Sequence, residues 1–294
     1  MPELPEVETV RRGLEPILVG NEFARVEQRR KDLRFPLPKR FGQRLEGRKV
    51  EALDRRAKYL LARLDDGEVL VMHLGMTGRF SIDRANGEAE KPGRFAHSQG
   101  NAPKHEHIVF HLGDGATIRY SDARRFGLMD LVRADRLASH ALFKGLGVEP
   151  LGPSFTPEWL AAKLKGKKTS IKAALVDQRL IAGLGNIYAC EALFRARISP
   201  KRLAGTLATK TGKPTEKTKA LVDSVKAVLD DAIRAGGSSL RDYKRADGSL
   251  GEFQLRFKVY GREGKPCARK GCGGTVRRIV QGGRSTFYCP TCQH

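Results

Sequence analysis

The stretch that decides the architecture is CARKGCGGTVRRIVQGGRSTFYCPTCQH, residues 267–294. It holds two thiol pairs, Cys267-x4-Cys272 and Cys289-x2-Cys292, separated by 16 residues. Four thiolates can close a tetrahedral zinc site, and Gly271, Gly273 and Gly274 permit the tight turns that this requires. The residues between the pairs are strand-like, and a hairpin this small cannot bury a core of its own, so the ion would hold it. With every coordination position taken by sulfur, such a zinc is structural rather than catalytic. The alternative, four unrelated thiols in a tail, is disfavoured by this spacing. Thiols gathered for metal also point to a reducing compartment. From Gln254 to His294 there are nine Lys or Arg and one acid, Glu263. A hairpin so basic suits nucleic acid better than a protein-docking knob. The fifth cysteine, Cys190, lies in an apolar helical stretch and reads as a small buried hydrophobe.

Upstream of the hairpin the pattern is helical. Glu216 to Arg234 carries an apolar stripe of Val225, Val228, Leu229, Ala232 and Ile233. Gly236-Gly237-Ser238-Ser239 ends it, and Thr206 to Thr218 forms a polar, Lys-rich connector. Ile187 to Ala196 and Ile171 to Val176 read as further helices. Thr156-Pro157-Glu158 supplies a cap and a first-turn proline for another, running through Leu164. Near Asp135 the period changes. From Asn21 to Val132 the chain is strand-like, with Asp65-Asp66-Gly67 before the apolar run Val69 to Leu74. Ile108, Phe110 and Leu112 alternate, then Gly113-Asp114-Gly115 turns into Thr117-Ile118-Arg119-Tyr120, a hairpin signal. Short strands without intervening helices imply an antiparallel sandwich or barrel. Arg84 to Lys104 reads as a long loop. Glu6 to Leu18 opens the chain as a helix with Val7, Val10, Leu14 and Ile17 on one face. The fold class is therefore α+β and multidomain, with divisions at 1–134, a linker at 135–153, then 154–253 and 254–294.

The chain has 294 residues, enough for two domains without disulfide staples. Its 55 Lys and Arg against 33 Asp and Glu leave a formal charge of +22, a surface that attracts polyanions, nucleic acid before acidic membrane. No apolar run approaches the roughly 18 residues of a membrane span. MPELPEVETV has three acids and no apolar core, so it does not read as a secretory signal.

Pro2 follows the initiator Met, which is normally removed before a small residue. The exposed secondary amine would titrate near or below about 7.7–8.0 and be available as a nucleophile. Attack on a sugar C1′ gives an iminium directly, an electron sink for eliminations, and Glu3 beside it could donate or relay a proton. Composition alone favours the plainer reading, an ordinary terminal cap.

MPELPEVETVRRGLEP, RRAKYL, HLGMTGRF, SDARRFG, GLGNIYACEALF and VYGREGKPC occur in this order before the cysteine pairs. The whole chain resembles the formamidopyrimidine-DNA glycosylase / endonuclease VIII family of bacteria. Leu4, where endonuclease VIII-type relatives usually carry Gly, points to the oxidised-purine branch. The resemblance implies an N-terminal helix with an antiparallel β-sandwich, a helix–two-turn–helix domain and a four-cysteine zinc hairpin. It implies a monomeric glycosylase and AP lyase of base excision repair, acting on 8-oxoguanine and formamidopyrimidines in damaged double-stranded DNA, in the cytoplasm at the nucleoid. One structural Zn2+ and no membrane association are expected.

By motif, Pro2 matches the nucleophile, Glu3 the acid, Lys58 the lysine of base release and β-elimination, and Arg262 the arginine that grips phosphate and assists δ-elimination. His105, Arg124, Lys167 and Asn186 match DNA contacts. Met76, Arg124 and Phe126 match the side chains that fill the gap left by an extruded nucleotide, and Cys267, Cys272, Cys289 and Cys292 match the zinc ligands. These roles make physical sense. A base must leave the stack before an amine can reach C1′, and apolar wedges with a planar donor offset that cost of a few kcal/mol. Phosphate contacts fix register without reading sequence, as a search for damage requires.

Taken singly, each residue has a blander reading. Met76 and Phe126 could be core, Lys58 and Arg124 part of a solvated basic face, and Asn186 a helix cap. His107 and His111 read as surface strand histidines rather than a second metal site. Several features depart from the family pattern: the longer first thiol knuckle, a longer 84–104 loop, and an extended region near Lys210. The loop that covers an extruded base should fall within Gly236 to Phe253. Two competing readings remain: excision of oxidised pyrimidines as in endonuclease VIII, and a non-catalytic zinc-containing binder of damaged DNA.

Overall fold

The computed structural model describes residues 2–84, 89–90, 103–238, 253 and 256–294. Most of the 236–253 stretch expected to hold the lesion-covering loop, and most of the 84–104 loop, lie outside the described residues. The chain forms two compact units, Met1–Lys144 with Ile233–Gln254, and Gly145–Ala232 with Leu255–His294.

The first unit opens with α1 (Leu4–Leu18), two residues earlier than the apolar stripe alone suggests. Glu3 is its N-cap and Pro5 lies in the first turn, where no amide hydrogen is needed. There follow β1 (Phe23–Gln28), a short α2 (Phe41–Leu45), β2 (Val50–Arg56), β3 (Tyr59–Leu64) and β4 (Glu68–His73). Next come β5 (Arg79–Asp83), β6 (Ala89–Glu90), β7 (Glu106–Leu112), β8 (Thr117–Ser121) and β9 (Leu128–Arg133). The strands make two antiparallel sheets, β1-β7-β8-β5-β6 and β2-β3-β4-β9. Phe23, Phe110, Ile118 and Tyr120 of one share a single apolar cluster with Leu60, Leu70, Met72 and Met129 of the other, so the sheets pack as a sandwich. Val7, Val10, Leu14 and Ile17 join the same cluster, and α1 lies on β2 and β3. Strand β4 is buried on both faces, which is why its sequence reads as an apolar run rather than an alternation.

The second unit is helical. Thr156 caps α3 (Pro157–Leu164) by accepting the Trp159 N–H at 3.1 Å. Ser170 does the same for α4 (Ile171–Leu175), through the Ala173 N–H. Then come α5 (Asn186–Arg195) and the long α6 (Glu216–Arg234). A two-stranded hairpin, β10 (Arg277–Gln281) and β11 (Arg284–Tyr288), closes the chain. The hairpin is fastened to α5. Cys190 and Phe194 share an apolar cluster with Val259, Val276 and Cys289, and the Arg269 guanidinium stacks 4.8 Å from the Phe194 ring. Cys190 is thus the buried hydrophobe its surroundings in sequence imply. Among the described residues, no helix is long and apolar enough to cross a membrane.

Candidate functional site

At the N-terminus, Pro2 and Glu3 are buried immediately before α1. Their main chain is pinned by Glu6, whose Oε2 accepts the Glu3 N–H at 2.8 Å. The other oxygen, Oε1, accepts from both N and Oγ of Ser238 at 2.9 Å. Lys58 is also buried, in the two-residue turn that joins β2 to β3 and is closed by the Arg56–Tyr59 pair. Ala57 in that turn has φ +53°, a left-handed conformation that costs a non-glycine residue on the order of 1–2 kcal/mol. Arg55 offsets part of this cost by donating to the Ala57 carbonyl at 3.0 Å, and its Nε reaches Glu8 of α1 at 3.0 Å. Burial pushes the Glu8 carboxyl up, but Arg11, Arg12 and Arg55 outweigh it and hold the group below the ordinary carboxylate range. The lysine turn and the start of α1 are therefore fastened together through charge-assisted bonds.

Beside Lys58 lies His73, at the end of β4. Burial, reinforced by the Lys58 and Arg34 cations, brings its pKa down from 6.5 to about 4. Nδ1 accepts the Gly75 N–H at 3.0 Å, so the neutral ring carries its proton on Nε2.

The three gap-filling candidates occupy two turns that are locked together. Met76 follows Gly75, and a Cβ on Gly75 would lie 2.2 Å from the Phe126 carbonyl carbon. Arg124 and Phe126 sit on the other turn, with the guanidinium 4.6 Å over the ring and Phe126 44% exposed. The Arg124 N–H donates to Thr77 Oγ1 at 3.0 Å, and Thr77 donates to Asp122 Oδ1. The Gly127 N–H reaches Asp122 Oδ2 at 2.8 Å. His105 is tied to the same residue, its carbonyl accepting the Asp122 N–H at 3.0 Å.

The histidine expectation needs correction. His107 is only 3% exposed, and its Nε2 meets the Asp122 carbonyl at 2.7 Å. It is a buried bracing residue, because the face of β7 read as solvent-side is covered here. His111 is partly exposed, with Nε2 2.8 Å from Glu27.

In the second unit, Lys167 is exposed in the turn after α3, where its carbonyl accepts the Gly205 N–H at 2.9 Å. Asn186 is the first residue of α5. Its Nδ2 donates to the Ser285 carbonyl at 2.8 Å, while its buried Oδ1 has no hydrogen-bond partner among the described residues. Gln178 braces the approach, accepting from Gly183 N at 2.9 Å and donating to the Leu184 carbonyl at 2.8 Å. Gly183 there has φ +88°, a conformation that favours glycine. Arg262 follows a loop held by Glu191, a carboxyl only 2% exposed. Glu191 accepts N–H groups from Lys258 at 3.0 Å, Val259 at 3.0 Å and Tyr260 at 2.8 Å. Burial pushes the Glu191 carboxyl above its ordinary pKa, against the pull of those three donors.

The four cysteine sulfurs lie within 4.8 Å of one another. Cys267–Cys292 and Cys272–Cys289 are separated by 3.8 and 3.6 Å. A tetrahedron with zinc–sulfur bonds of about 2.3 Å has edges of about 3.8 Å, so the set fits one Zn2+. A Cβ at Gly274 would lie 2.8 Å from the Cys289 sulfur, so only glycine leaves the cluster room.

Glu6, Asp122 and Glu191 went unassigned from sequence, although each lies inside a quoted motif. The signal available was an acid within an otherwise functional string, in a chain short of acids.

Three family models match the chain: the formamidopyrimidine-DNA glycosylase N-terminal domain over residues 1–129, the H2TH domain of the same enzymes over 146–244, and a zinc finger found in FPG and IleRS over 264–294. A formamidopyrimidine-DNA glycosylase of Beijerinckia indica is 60% identical over 293 residues, covering all of both chains. The crystal structure of the MutM (Fpg) protein from Thermus thermophilus aligns with TM-score 0.80 and 41% identity over 99% of this chain and 98% of that one. The Lactococcus lactis Fpg bound to abasic-site DNA aligns with TM-score 0.82 and 33% identity over 99% of each.

Proposed function

The chain belongs to the formamidopyrimidine-DNA glycosylase family, and from that membership we propose a base-excision-repair enzyme that removes oxidised purines from duplex DNA and then nicks the strand. It acts as a monomer on damaged DNA, in the cytoplasm at the nucleoid, and one Zn2+ on Cys267, Cys272, Cys289 and Cys292 holds the hairpin in shape. The observation that carries the reading is the anchored Pro2–Glu3 terminus, pinned by Glu6 in the unit that also presents Lys58 and the two gap-filling turns.

With Met1 removed, the Pro2 amine adds to C1′ as the glycosidic bond breaks, and the base leaves with the bonding electron pair and a proton. Glu3 delivers a proton to the sugar ring oxygen as the ring opens, leaving an iminium on Pro2. That cation acidifies the C2′ proton. Its loss, with Lys58 assisting, expels the 3′ phosphate, and a second elimination, assisted by Arg262, expels the 5′ phosphate. Water then returns the free amine. Met76, Arg124 and Phe126 take the place of the extruded nucleotide, while His105, Lys167 and Asn186 hold phosphates.

Borohydride added during reaction with an 8-oxoguanine duplex should trap a covalent adduct that maps to Pro2. An absent adduct, in protein with a free Pro2 and bound zinc, refutes the imine chemistry. Faster excision of thymine glycol than of 8-oxoguanine would move the substrate to oxidised pyrimidines.

A further inference from the structure

We infer that Asp122 is a positioning residue for base extrusion, a carboxyl through which both gap-filling turns are set against each other. The inference rests on the glycosylase reading and goes beyond it, because Asp122 carries none of the chemistry described above.

Asp122 is 0% exposed. Its Oδ1 accepts a hydrogen bond from the Thr77 hydroxyl, and Thr77 is the residue after Met76. Its Oδ2 takes the Gly127 N–H at 2.8 Å, and Gly127 is the residue after Phe126. The Tyr120 hydroxyl lies 3.4 Å from the same oxygen. Arg124 is reached in two steps, since its N–H donates to the Thr77 oxygen whose proton points at Asp122. The main chain of Asp122 adds two ties, N–H to the His105 carbonyl at 3.0 Å and C=O to His107 Nε2 at 2.7 Å. One residue thus sets the backbone next to Met76, Arg124 and Phe126 and the carbonyl of His105.

The bonding pattern requires two acceptor oxygens. Thr77 O–H and Gly127 N–H approach different oxygens of the carboxyl. An Asn at this position offers one oxygen and one NH2, so one of the two turns loses its acceptor. The Thr77 hydroxyl is the other half of the device, because it relays Arg124 to the carboxyl. Thr77→Val keeps the branched shape and removes the relay.

The test compares wild type, Asp122→Asn and Thr77→Val, each with a free Pro2 and bound zinc, in single turnover. The substrates are duplexes with 8-oxoguanine opposite dC, 8-oxoguanine opposite dA, and a preformed abasic site opposite dC. A preformed abasic site has no base to extrude, so it reports the Pro2 chemistry alone. Both variants should excise 8-oxoguanine about tenfold more slowly, the effect of one lost bond to a buried carboxyl. Cleavage of the abasic site should stay within about twofold of wild type, and the two 8-oxoguanine duplexes should slow together. Wild-type rates in both variants, or an equal loss on all three substrates, overturn the inference, the latter by showing only general destabilisation. A wild type that leaves 8-oxoguanine untouched overturns the oxidised-purine reading on which the inference rests, before any variant is compared.

Discussion

Acidification should cost the sheet unit stability through His73. In an unfolded chain an imidazole titrates at about 6.5. In the fold, burial first, and then Lys58 and Arg34, bring His73 to about 4. Between those two values the unfolded chain binds the extra proton and the folded one does not, so stability rises with pH across the window and is lost as pH falls through it. At 1.36 kcal/mol per pH unit the loss amounts to about 3 kcal/mol between pH 7 and pH 4. The comparison protein is His73→Asn, whose side-chain oxygen can take the Gly75 N–H that Nδ1 now accepts. Any packing loss in that variant is the same at both pH values and cancels. Trp159, the only tryptophan, belongs to the second unit and does not report on the sheets. The assay is therefore amide hydrogen exchange of peptides from β4 and β9, corrected for intrinsic rates. The wild type should lose about 3 kcal/mol more opening free energy than His73→Asn on going from pH 7 to pH 4. Parallel pH profiles, or a larger acid loss in the variant, refute a neutral imidazole held beside two cations.

Three further outcomes are expected. Gly75→Ala forces a Cβ to within 2.2 Å of the Phe126 main chain from a left-handed φ of +59°, and should cost about 3 kcal/mol or more in urea unfolding. Glu191→Ala strands three N–H groups in the loop before Arg262. Unfolding followed by Trp159 fluorescence should show a loss of at least about 3 kcal/mol, with Glu191→Gln intermediate. Removing zinc with a chelator should abolish the exchange protection of residues 264–294, weaken DNA binding, and spare the protection of α6.

What could be read in the sequence was what is local. Thr156-Pro157-Glu158 caps α3 through atoms three residues apart, and the paired cysteines declare their tetrahedron by spacing. The apolar stripe of α1 was equally plain, though not its start, which depends on Glu3 and Glu6 serving as cap residues. The acids that organise the site stayed silent because their partners are remote in sequence. Asp122 meets Thr77 from 45 residues away, Glu6 meets Ser238 from 232, and Glu191 meets a loop 67 to 69 residues on. His107 was misplaced for the same reason. Alternation along β7 separates its two faces, but cannot say that both are covered.

The close approach at Gly75 has its counterpart at Gly127, where a Cβ would lie 1.9 Å from the Tyr120 hydroxyl. The two turns touch main chain to main chain, and the fastening runs through glycines, Thr77 and Asp122. The gap-filling candidates are thereby separated from what keeps the turns in place. Thr77 and Asp122 grip the 124–127 turn by the main-chain N–H groups of Arg124 and Gly127, leaving the side chains at 124 and 126 outside the fastening, much as bits are held in a chuck. Under the proposed function, a lineage built on such a frame can retune how the vacated place in the stack is filled, by altering the side chains it carries, while the sandwich beneath keeps its stability.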